Sequence, residues 1–224
     1  MFGIYRTHRE RWPQFVQYLQ QTDDPRYWVS DETDIRAPKK IYCGKYPLFG
    51  DLSILSDLAD TGVIQDIRIN SSEYAFRYVS AQVGGYLREV GIWLELYLYC
   101  MMYKSGLFDY VDINAVVSWD DIDESYDTIK EIDLIASAGI GRIFISCKTG
   151  VPDNAALNEI ATIARRFGGK YSIPVLATMC DLKSEAPAVF RRAVEMGVAV
   201  LDADDLYEDV LHKKLKTLCS RWDQ

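Results

Sequence analysis

The chain has 224 residues, 49% of them hydrophobic, with a formal net charge of −8 and a pI near 4.9. That length allows one large domain or a main domain with a smaller companion, and the apolar fraction is enough for a packed core. The acidic balance excludes a protein that coats nucleic acid by bulk charge, but not one that handles phosphates at a local site. The five cysteines, Cys43, Cys100, Cys147, Cys180 and Cys219, are scattered, with no CxxC and no Cys/His ligand spacing. They point away from a disulfide framework or a zinc centre and toward a reduced, cytoplasmic setting. The opening MFGIYRTHRERW carries charge where a signal peptide is apolar, and the longest apolar run, VGIWLELYLYCMMY, holds Glu95 and is too short to span a bilayer, so no membrane is expected.

In chain order, residues 1–44 read as an irregular N-terminal extension. It contains one short amphipathic helix with Trp12, Phe15, Val16 and Leu19 on one side, then the acidic loop TDDPRYWVSDETDIRAPKK. Residues 45–83 read as a helix, FGDLSILSDLADTG, that stops at Gly62, followed by alternating strands VIQDIRI and YAFRYVS. A helix followed by a two-stranded wing is winged-helix-like; the plainer alternative is a helix and hairpin that cover a larger sheet. Residues 84–224 read as the main domain. Gly84-Gly85 is expected to break the chain, and a buried helix to run from Tyr86 to about Lys104. Next come strand YVDINAVVSW, acidic turn DDIDESYD, strand TIKEIDLIAS, turn AGIG and strand RIFISCK. A helix follows Pro152-Asp153 and is closed by Gly168-Gly169. Strand IPVLATMC, helix EAPAVFRRAVEMG, strand VAVLD and a last helix complete an α/β fold with a mixed sheet flanked by helices.

Three chemistry-bearing residues converge in this reading. Glu95 lies on the buried helix, Asp133 on the second strand of the meander and Lys148 at the end of the third. Strand alternation puts Ser146 and Lys148 on one face. Counting outward from residue 140, at the turn, makes Asp133 and Lys148 cross-strand neighbours. Two carboxylates and an ammonium suit phosphodiester hydrolysis. The carboxylates, with the backbone carbonyl of Cys147, hold Mg²⁺ or Mn²⁺, and the lysine offsets charge on the phosphate. Arg165, Arg166 and Lys170 are candidates for phosphate contact.

The segments GIWLELYLY, KEIDLIASAGIGRIFISCKTG and RRFGGKYSIPVLATMCDL…FRRAVEMGVAVLDADDL resemble the PD-(D/E)xK, restriction-endonuclease-like nuclease domain of CRISPR-associated effector nucleases activated by cyclic oligoadenylate. The resemblance covers about residues 45–210. It implies a metal-dependent endonuclease acting on DNA or RNA in antiviral defence, a homodimer, and Glu95, Asp133 and Lys148 as metal and catalytic residues. The chain departs from the family pattern at Ser146, where an acid stands two residues before the lysine; Glu131 or Glu159 is a candidate replacement. In that family a sensor domain precedes the winged helix, and 44 residues are too few to form it. The Ser146 departure leaves an alternative: a catalytically degenerate nuclease fold that binds nucleic acid or a protein.

Overall fold

The computed structural model describes residues 2–20, 42–47, 52–69, 71, 73–118 and 129–222. The two acidic loops expected from the sequence, over 22–40 and 120–127, lie outside these. The chain forms two compact units, residues 1–93 and 94–224.

In the first unit, α1 (Phe2–Thr7) and α2 (Trp12–Gln20) precede β1 (Tyr42–Pro47), α3 (Ser53–Asp60), β2 (Ile64–Ile69), β3 (Glu73–Tyr78) and α4 (Ala81–Leu87). The i, i+3, i+4, i+7 spacing of Trp12, Phe15, Val16 and Leu19 predicts one buried helix face, and all four are fully buried. The segment before it is not irregular as expected. It folds as α1, whose Tyr5 is buried and meets the Trp12 ring edge-on at 5.3 Å. The helix α3 is followed by the expected hairpin, and β1 adds a third antiparallel strand in the order β1-β3-β2.

Gly84 and Gly85 do not break the chain; both sit inside α4. Ser80 caps this helix by accepting the Val83 N–H at 3.2 Å, which offsets the glycines' weak helix preference. At Gly84 a methyl group would lie 2.8 Å from the Tyr78 ring, so the glycine serves close packing rather than a turn. The break comes after Leu87, and α5 runs over Ile92–Ser105.

The second unit takes up α5 at Leu94, followed by β4 (Tyr110–Ser118), β5 (Ile129–Ala138), β6 (Gly141–Lys148) and α6 (Asn154–Gly168). Then come β7 (Ser172–Thr178), α7 (Leu182–Glu185), α8 (Pro187–Glu195), β8 (Ala199–Leu201) and α9 (Glu208–Cys219). The five strands form one mixed sheet in the order β4-β5-β6-β7-β8, antiparallel from β4 to β6 and parallel from β6 to β8. This is the mixed α/β sheet flanked by helices that the sequence predicts. On α5, Leu94, Leu98 and Met102 are fully buried, but Cys100 and Tyr103 are exposed, so the helix is covered on only part of its circumference.

The helix α6 begins and ends where its signals place it. Asp153 accepts the Ala156 N–H at 2.9 Å, and Gly169 follows the helix with φ +61°. Its Leu157, Ile160, Ile163 and Ala164 pack with Phe144 of β6 and Leu176 of β7 in one buried cluster. Gly168 lets the end of this helix approach the sheet: a methyl there would fall 2.4 Å from Ser172 Cβ and 2.6 Å from the Phe144 ring. Its φ of −111° is open to any residue, so only crowding opposes substitution. Gly168→Ala is expected to cost about 1–3 kcal/mol, seen as a lower midpoint in urea unfolding with an unchanged slope.

Candidate active site

The hairpin between β5 and β6 closes at Ala138↔Gly141, leaving Gly139 and Ile140 as a two-residue loop, with Gly139 at φ +55° as a primed turn requires. Its midpoint therefore falls between residues 139 and 140, not at 140. The observed pairs, Leu134↔Ile145 among them, extend to place Asp133 across from Ser146, whereas the sequence reading aligned it with Lys148. A half-residue error in the turn centre, doubled by the antiparallel ladder and one more residue of tolerance, accounts for the difference.

The β5–β6 pairing ends at Leu134↔Ile145. Beyond that point β5 stays paired with β4 as far as Ile129↔Ser118, and β6 stays paired with β7 as far as Lys148↔Thr178. The sheet thus forks between its second and third strands. Across the fork the Asp133 carboxylate, instead of a backbone carbonyl, takes the Cys147 N–H at 2.5 Å, and the Ser146 hydroxyl donates to the same Oδ2 at 3.4 Å. Among the described residues no hydrogen bond reaches Asp133 Oδ1.

A cleft of about 90 Å³ opens at this fork. It is lined by Glu131, Asp133, Ser146, Lys148 and Glu159, with Ile160 and Ile163 of α6 completing the wall. Five of the polar residues singled out in the sequence therefore meet at one place. Glu159 reaches Lys130 Nζ at 2.8 Å, a half-exposed pair that contributes little to stability. Glu95, in the first turn of α5, does not line the cleft. The Cys147 thiol is buried and its pKa is pushed well above the ordinary value. Burial is the main cause, followed by the negative charges of Asp133 and Glu95, with Lys148 pulling the other way. One thiol thus feels all three groups. The upward direction favours the thiol over the thiolate and so weakens it as a nucleophile.

Arg165, Arg166 and Lys170 sit near the other end of α6. Arg165 lines a separate cavity with Gly169, Ser172 and Pro174, and Lys170 lies 4.6 Å from the Tyr171 ring centre. Sequence reasoning assigned no role to Lys130, although its place beside Glu131 on a strand facing a helix was a readable signal. Among the described residues no three His, Cys, Asp or Glu side chains group closely enough to hold a metal ion by themselves. No helix among them is long and apolar enough to cross a membrane.

No family model matches the sequence, and no curated protein matches it. Solved structures do match by fold. The chain is similar to protein VC1899 from Vibrio cholerae, with a TM-score of 0.68 and 14% identity over 97% of this chain and 56% of that one. It is also similar to Can2 from Sulfobacillus thermosulfidooxidans, solved in complex with cyclic tetra-adenylate, with a TM-score of 0.60 and 14% identity over 97% of this chain and 55% of that one. The mixed α/β fold is thus shared with both. The chain spans about half the length of each.

Proposed function

We propose that this chain is a PD-(D/E)xK-type, metal-dependent nuclease that hydrolyses phosphodiester bonds in DNA or RNA and serves CRISPR-linked antiviral defence as a homodimer. The observation that carries this reading is the meeting of Asp133, Lys148 and two further carboxylates, Glu131 and Glu159, in one cleft where the sheet forks. The fold likeness to Can2, whose structure holds cyclic tetra-adenylate, supports the defence assignment.

The donor set suits a hard, oxygen-preferring dication such as Mg²⁺ or Mn²⁺. Such ions keep several waters and need only one or two carboxylates. The open Oδ1 of Asp133 and the Cys147 carbonyl would hold it, and Glu159 or Glu131, in the same cleft, would supply the carboxylate that Ser146 lacks. When bound, such a cation polarises the phosphate and lowers the pKa of its water. The chain's own residues do the rest. The Cys147 N–H and Ser146 hydroxyl fix the Asp133 carboxylate in one orientation. Lys148 places a positive charge where the phosphate oxygens gain negative charge as the water oxygen bonds to phosphorus and the ester P–O bond breaks.

A second reading is favoured by Ser146 itself, whose hydroxyl is turned to Asp133: the cleft then binds nucleic acid without cutting it. One experiment separates the two. Labelled single-stranded RNA, single-stranded DNA and plasmid are incubated with the chain in Mn²⁺ or in EDTA. Cleavage that needs Mn²⁺ and weakens in Glu159→Gln supports the enzyme. Binding of a substrate in Mn²⁺ with no cleavage of any of the three establishes the binding module.

A further inference from the structure

A further cavity, of about 340 Å³, lies against the outer edge of the sheet and shares no lining residue with the cleft at the fork. Its size is that of a small-ligand site. One wall is the edge strand β8, which among the described residues has β7 as its neighbour on one side and no strand on the other. Val200 of that strand, Phe190 and Val194 of α8, and Leu218 of α9 contribute to its apolar lining.

Two acids stand at one end. Asp202 is 2% exposed and Asp205 7%, both far more buried than carboxylates usually are. Asp202 Oδ2 lies 3.8 Å from Lys183 Nζ, and Asp205 Oδ1 lies 3.2 Å from Lys214 Nζ. Asp202 Oδ1 is buried and has no hydrogen-bond partner among the described residues. A buried carboxylate oxygen left unpaired is costly, and a bound N–H would relieve that cost. Lys183 and Lys214 already supply two ammonium groups, so a further cation would be repelled, and a neutral N–H donor is the better complement. Burial first, then the neighbouring charge of Asp205, raises the Asp202 pKa, with Lys183 pulling the other way. An amino group next to a ring nitrogen presents an N–H to Asp202 Oδ1 and an acceptor to the Lys183 ammonium beside Oδ2.

Arg221 also lines the cavity, two residues past the end of α9 and seven beyond Lys214. An exposed guanidinium there suits a phosphate. We propose that this cavity binds a nucleoside monophosphate whose base carries an amino group beside a ring nitrogen, with the base edge on Asp202, the ring against Phe190 and Val200, and the phosphate on Arg221.

Calorimetric titration of the full chain with AMP, IMP and adenosine, in buffer without divalent metal, tests this apart from nuclease activity. AMP should bind at one site per chain. IMP, which has a carbonyl in place of the amino group, and adenosine, which lacks the phosphate, should each bind at least about tenfold more weakly. Asp202→Ala should weaken AMP by a similar factor, and Arg221→Ala should weaken AMP but not adenosine. Equal binding of AMP and IMP, AMP binding unchanged by Arg221→Ala, or no AMP binding at millimolar concentration would overturn the proposal. The comparison of AMP with IMP uses the unaltered chain, so it decides even if Asp202→Ala fails to fold. Because no metal is present, a negative result here leaves the cleavage assay untouched, and the reverse holds.

Discussion

Lys148→Ala should cut the rate of phosphodiester cleavage by about 10²–10³-fold while leaving the fold intact. The side chain is half-buried at the end of β6, and among the described residues its ammonium makes no hydrogen bond or ion pair. Little in the structure depends on it, whereas a phosphate gaining charge in the cleft does. Asp133→Ala should show a different pattern. It removes a ligand and also leaves the Cys147 N–H unpaired in a buried place, so activity falls and stability drops by about 1–3 kcal/mol. Cleavage rates paired with urea unfolding curves separate the two variants. A Lys148→Ala chain that cuts as fast as the parent removes the lysine from the chemistry. A Lys148→Ala chain that unfolds early shows that its role is structural.

Phe144→Ala is expected to be the most damaging core substitution near the site, at about 3–5 kcal/mol. Phe144 is 1% exposed and packs among Leu157, Ile160 and Ile163 of α6 and Leu176 of β7. It also sits two residues before Ser146 on the same face of β6. Deleting the ring leaves a cavity beneath the helix that carries Glu159, Ile160 and Ile163 into the cleft. Against a typical total of 5–15 kcal/mol for a domain, that loss should lower the thermal midpoint by many degrees. A midpoint within a degree or two of the parent would mean that α6 collapses onto the sheet and fills the space.

Elements with signals at both ends were legible in the sequence. The helix α6 is one: Asp153 caps it, two glycines close it, and its apolar residues keep a helical period between them. The sheet's connectivity was legible for a similar reason, because β7 and β8 are apolar runs bounded by helices. The reading failed where one residue type serves two ends. Gly84 and Gly85 signal a turn in sequence, but here Gly84 makes room for the Tyr78 ring, a contact that only the folded chain specifies. The register of Asp133 was missed by a small margin because a four-residue turn signal does not say which two residues form the loop. The clustering of Asp133, Ser146, Lys148, Glu131 and Glu159 follows from strand alternation plus one helix crossing, so most of the cleft could be assembled on paper. The burial of Asp202 and Asp205 could not. In the string VLDADDLYED they look like a solvated acidic loop, and only the lysines on α7 and α9 reveal their surroundings.

The forked sheet has one further consequence. At the last rung a side-chain oxygen substitutes for a main-chain one, so the Cys147 amide is protected by a group that can itself be drawn elsewhere. Its deuterium uptake therefore reports whether Oδ2 stays at the fork. Anything that draws Oδ2 of Asp133 away from the fork should quicken exchange at that single amide, whereas an ion held on the open Oδ1 should leave it slow; the amides of neighbouring Phe144 and Ile145, held in the ladders on either side, keep their pace in both cases.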